Sequence, residues 1–215
     1  MMFRMLDTSH LVLFLVACVV MLIIPGPAVL YIISRSINEG RKAGLISVAG
    51  LAVGTLVHVT GAALGLSALL VASAFAFSAV KYLGAAYLIF LGVRKIMEKN
   101  KPQEAQTAEP QGFSRTFVQG IIVNILNPKT ALFFLAFLPQ FVDPSRGSVP
   151  MQMIALGLLF VFLSLFTDSG YVLLSGFAGG WLKGSKLFSR FENYCVGSVY
   201  IGLGLGTAFA GFRRK

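Results

Sequence analysis

From Leu11 to Ser34 the chain carries no charged residue, and the one interruption is Pro25-Gly26-Pro27. About 20 apolar residues are enough to cross a bilayer as a helix. Proline lacks an amide hydrogen and its ring clashes with the preceding turn, so Pro-Gly-Pro breaks this helix about midway through the membrane. A second break, Asn127-Pro128-Lys129, falls at a similar depth in another apolar stretch, Phe117 to Val142. Backbone freed inside hydrocarbon must be buried in protein or line a cavity. One proline kink often has only a packing role. Two breaks matched in depth, one per half of the chain, point to a transporter's substrate site.

The rest of the sequence supports a membrane setting. Only 12% of the 215 residues are charged and 56% are hydrophobic, against about 25% charged in soluble domains. The apolar stretches are long and mostly uninterrupted, which argues for helices and against a barrel. Six spans fit, near 10–35, 43–70, 75–97, 115–142, 151–178 and 191–212. The expected fold is therefore all-α: a polytopic membrane protein with six transmembrane helices. They form two inverted three-helix repeats, with helices one and four broken. The first repeat covers 1–97, a polar cytoplasmic loop 98–114 and the second repeat 115–215. Three spans per half force the halves into opposite orientation. Arg4 ahead of the first apolar run has no small-residue cleavage site after it, so that run reads as a retained span.

Polar residues inside spans are the candidate site. Asn124, Asn127 and Lys129 crowd the second break with Pro128, a costly set near mid-membrane without compensation. Asn124 fits an interhelical hydrogen bond as well as a substrate contact. Lys129 is expected to meet a carboxylate, a carbonyl or water. Asp168 is the acidic residue deep in the fifth span, and Gly157, Ser164, Tyr171 and Ser175 share its face within roughly 60°. It reads either as a structural partner of Lys129 or as a substrate and proton group, since a buried carboxylate titrates readily. His58 lies beside a glycine ridge of Gly50, Gly54, Gly61 and Gly65, and is either a packing residue or a proton carrier. Gly202 and Gly206 read as a further close-packing pair. Cys18 and Cys195 read as small packing residues. The substrate-binding candidates are thus Pro25, Gly26, Pro27, Asn124, Asn127, Pro128, Lys129 and Asp168. The proton-coupling candidates are Asp168 and His58.

The formal net charge of +10 reflects basic residues between spans, where they set orientation and meet anionic lipid. It does not imply nucleic acid. Arg35, Arg41, Lys42, Arg94, Lys95, Lys99, Lys101, Arg115, Lys183, Lys186 and Arg190 follow spans one, three and five, which places that side in the cytoplasm and both termini outside. The terminal Arg213-Arg214-Lys215 dissents.

At these residues the chain resembles the LysE/RhtB family of bacterial amino-acid exporters. The likeness rests on Pro25-Gly26-Pro27-Ala28, Leu64-Gly65-Leu66, Lys81 to Gly92, Gln119-Gly120 through Asn127-Pro128-Lys129, and Phe137-Leu138-Pro139-Gln140-Phe141. It implies an inner-membrane exporter of small amino acids or derivatives, of threonine, homoserine or leucine type, driven by proton antiport. The implied partners are a small amino acid, the proton and membrane lipid; assembly with further copies stays open. Two other classes compete. One is an exporter of a metal cation or other small solute, where a metal site wants several carboxylates or thiolates; the other is an intramembrane enzyme, which wants a nucleophile or an acid–base dyad. Neither constellation is evident, so no enzyme activity, cofactor or metal is expected.

Overall fold

The computed structural model describes residues 8–66, 74–97 and 112–182, with single helical positions from Tyr194 to Ala208. Helix α1 (Thr8–Ile23) meets α2 (Pro27–Glu39) at an angle of 49°. Proline opens α2 at its first helical position, and Gly26 before it is extended at φ −135°. The second break repeats this. Helix α5 (Phe113–Ile125) gives way at Asn127 to a segment bent by 47°, running from α6 (Pro128–Leu132) through a π-helical turn (Phe133–Phe137) and a 3₁₀ turn (Leu138–Phe141). Both sequence-expected breaks are present.

Helix α3 (Arg41–Gly61, extended by a π-helical turn over Ala62–Leu66) is the hub. It packs most extensively on α5, then on α7 (Val149–Leu182) and α2. Glycine explains the close seam with α5. A Cβ at Gly50 would lie 2.3 Å from the Phe117 carbonyl, and one at Gly54 2.8 Å from the Ile121 carbonyl. The expected ridge of four glycines is therefore real only in part: Gly61 and Gly65 meet nothing within 4 Å. The reason is the second break, which ends α5 at Ile125 and removes the partner backbone. A further correction concerns Arg41 and Lys42, expected in a loop. Helix α2 runs on to Glu39, and Gly40 alone, at φ 86°, turns the chain into α3. Positive φ is open to glycine at little steric cost.

Helix α4 (Ala74–Met97) covers the third expected span. Its Gly92 sits against the Gly197 carbonyl, 2.6 Å from where a Cβ would be, and Gly204 sits against the Ala85 carbonyl. The close-packing glycines are thus Gly197 and Gly204. Gly202, expected in that role, faces open space, and Gly206 lies outside the described residues, as do the polar loop from Glu98 to Gln111, Cys195 and most of the sixth expected span.

Two apolar clusters flank the breaks. On the α1 side, Phe14, Phe133, Phe134, Phe137, Phe141 and Phe160 pack ring on ring with Cys18 and Met21. On the α2 side a smaller group, Ile32, Val48, Leu51 and Val172, closes the bundle. Large apolar side chains such as Leu13, Val16, Phe162, Phe166 and Leu173 point outward, a surface suited to lipid. Among the described residues α3 and α7 are long and apolar enough to cross a membrane, and each bent pair counted as one span brings the number to four.

Candidate functional site

A helix ends with carbonyls that have no intrahelical donor. At the first break those of Ile23 and Ile24 are met by donors from the other half of the chain. The Tyr171 hydroxyl donates to the Ile23 carbonyl, and Lys129 Nζ donates to the Ile24 carbonyl at 2.6 Å. Lys129 is 7% exposed. Its ammonium sits at the negative end of the α1 dipole, where a cation is favoured. Gly26 makes room for its stem: a Cβ there would come within 3.2 Å of Lys129 Cδ.

The second break is tied down by amides. Asn127 caps α6, its side chain accepting from the Lys129 amide at 3.1 Å. Asn124 is buried and fully engaged. Its Nδ2 donates to the Leu51 carbonyl at 2.6 Å and to Thr55 Oγ1 at 2.7 Å, while its Oδ1 accepts from Thr130 at 3.0 Å. His58 Nε2 donates to the Asn124 carbonyl at 2.9 Å, and its ring stacks on Phe134. A carbonyl only accepts, so Nε2 carries the hydrogen in this contact.

Between the breaks lies a cavity of about 40 Å³, whose walls include Met21, Leu22, Gly26, Ala28, Val29, Leu51, Thr55, Asn124, Asn127, Lys129, Thr130, Phe160, Ser164 and Asp168. Each water needs roughly 10–15 Å³ of such space, so about three fit. A whole amino acid does not fit in that space. Chemically the walls combine one ammonium, one carboxylate, amide groups and an apolar side formed by Met21, Leu22, Val29, Leu51 and Phe160. Asp168 is half-buried, and the Lys129 charge acts on it. The α2 end adds backbone donors. Pro27 has no N–H, Leu30 N bonds to the Gly26 carbonyl, and Gly26 supplies no side-chain cap. The amides of Ala28 and Val29 are thus left without helical acceptors at the cavity wall.

The structure brings together Gly26, Asn124, Asn127, Lys129 and Asp168. Pro25, Pro27 and Pro128 shape the breaks without lining the cavity. His58 stands behind Asn124, one residue removed from the wall. Thr55, Thr130 and Ser164 were not singled out as wall residues from the sequence. Ser164 was legible, lying one turn before Asp168 on the same face. Thr55 and Thr130 were not, because their place depends on how α3 and α6 meet Asn124. From the sequence, Tyr171 belongs only to a bundle-facing stripe.

A family model described as "LysE type translocator" matches residues 19–211. Among curated relatives, the chain is 33% identical over 199 residues to the uncharacterized membrane protein YrhP of Bacillus subtilis, covering 88% of this chain and 94% of that protein. It is 32% identical over 180 residues to the homoserine/homoserine lactone efflux protein of Salmonella typhimurium, covering 84% of this chain and 86% of the relative. An uncharacterized membrane protein of Vibrio cholerae is 30% identical over 197 residues, with 92% and 95% covered. No solved structure matches the chain.

Proposed function

The chain belongs to the LysE type translocator family, and we propose that it exports small amino acids or their derivatives, of the threonine, homoserine and leucine type, by proton antiport. Its family and its efflux relatives make it a transporter and a multi-pass inner-membrane protein. The finer reading rests on one observation: both helix breaks open onto a single cavity that carries Lys129 and Asp168. The matched bends and the proline at the start of each second half-helix support the inverted three-helix repeat.

An amino acid presents a carboxylate and an ammonium, each needing a partly dry partner. The carboxylate goes to the uncapped start of α2, where the Ala28 and Val29 amides and the helix dipole favour an anion. Lys129, already stretched across to this break, completes that site. The start of α6 suits it less, because Asn127 already takes the Lys129 amide. The ammonium goes to ionised Asp168 in a charge-assisted contact. Protonation of Asp168 removes that contact and weakens binding. Protons reaching Asp168 from outside therefore release substrate outward, and the carrier returns protonated. The apolar wall leaves space for a short side chain once the breaks part. His58, on the Asn124 carbonyl behind the wall, is the second candidate in the proton path.

A substrate screen tests this reading. Cells loaded with threonine, homoserine, leucine or lysine are compared with and without the protein. Faster efflux of the first three over lysine is expected. Equal efflux of all four in both strains contradicts it.

A further inference from the structure

About two turns beyond Pro27, away from the cavity walls, the bundle buries a second set of polar groups. Arg35 is 4% exposed. Its guanidinium donates to Gln119 Oε1 at 2.6 Å, forms an ion pair with Glu39 and lies 5.5 Å from the centre of the Tyr31 ring. Tyr31 in turn donates to the Thr116 carbonyl at 2.8 Å. At the edge, Lys42 Nζ sits 4.9 Å from the centre of the Phe113 ring. Every one of these contacts except the Arg35 pairings with Glu39 and Tyr31 joins α2 or the start of α3 to the first half of α5. Thr116 Oγ1 is buried in the same seam and has no hydrogen-bond partner.

Such a seam is a poor way to hold a bundle permanently shut. A buried ion pair gains little over well-packed apolar residues, and a buried hydroxyl without a partner costs more. The other side of the cavity is packed in the cheaper way, with six phenylalanines. Polar contacts have one property the aromatic plug lacks: when they part, water replaces each lost bond. Thr116 gains a partner at that moment. The geometry therefore favours a surface made to open.

We propose that Tyr31, Arg35, Glu39, Thr116 and Gln119 form the cytoplasmic gate of the export path. The seam parts by α2 moving off α5, which stays clamped to α3 along Gly50 and Gly120, and it closes behind substrate before the aromatic side yields. This rests on the export reading above and on the orientation set by the basic residues.

The test reads access, not transport. In a Cys18→Ala, Cys195→Ala background, Ser164→Cys puts one thiol in the cavity wall. Its labelling rate with a membrane-impermeant maleimide is measured in inside-out and right-side-out vesicles. Gln119→Ala removes the Arg35 acceptor. Tyr31→Phe keeps the ring beneath Arg35 and removes the hydroxyl that donates to Thr116, a change of one atom that the fold is expected to tolerate. Both are expected to speed labelling at least threefold from the cytoplasmic face and to leave the outer face unchanged. Unchanged labelling in both variants, or acceleration from the outer face, overturns the gate. Labelling as expected in a protein that exports no amino acid leaves the gate standing and sinks the export reading instead.

Discussion

Lys129 shows how far a single residue can be read. A cation placed in an apolar run has to find compensation, and that much follows from the sequence. Which partner it takes does not. The Ile24 carbonyl is available only because α1 ends there and the two breaks approach one another. Gly26 is part of that approach, so Gly26→Ala is expected to displace the Lys129 stem and cut export at least tenfold with normal abundance; quantitative export against membrane-protein level checks this. Asn124 illustrates the opposite case. Its amide bonds to both α3 and α6, so Asn124→Leu strands buried polar groups. It is expected to lower stability by about 1–3 kcal/mol, seen as an earlier thermal transition in detergent. An unchanged transition contradicts the network.

At the scale of elements, the breaks were legible because proline acts locally, whatever surrounds it. The glycine ridge of α3 was only half legible, because glycine packs closely only where a partner helix runs beside it, and α5 stops. Restoring helix across the first break tests its role. Pro25→Ala with Pro27→Ala returns two backbone donors, and export is expected to fall far more than expression. Equal export reduces the break to a kink. The turn between α6 and α7 carries its own pH dependence. The Ser145 hydroxyl and amide bond to ionised Asp143, with Arg146 nearby, and hold its carboxyl below the ordinary 3.8. A depressed folded-state value means the contribution is complete above the unfolded value and is lost as pH falls through the folded one. At pH 6, Asp143→Asn is expected to speed amide exchange at Ser145. Because the group is exposed, the effect on global stability is small.

For the whole molecule, the membrane class and the all-helical fold follow from composition and apolar runs alone. The cavity wall does not, since it depends on side chains meeting across the bundle. Orientation is tested by thiol labelling: Asn38→Cys is expected to react only from the cytoplasmic face and Ser145→Cys only from outside.

The central claim is that Asp168 couples the proton to substrate held between the breaks. Its most direct test is gradient-driven uptake of homoserine into inside-out vesicles with an acid lumen, comparing the unmodified chain with Asp168→Asn at matched abundance. The account predicts accumulation that collapses with the pH gradient in the first and, in the second, weakened homoserine binding with no gradient dependence. Full proton-driven accumulation by Asp168→Asn contradicts it.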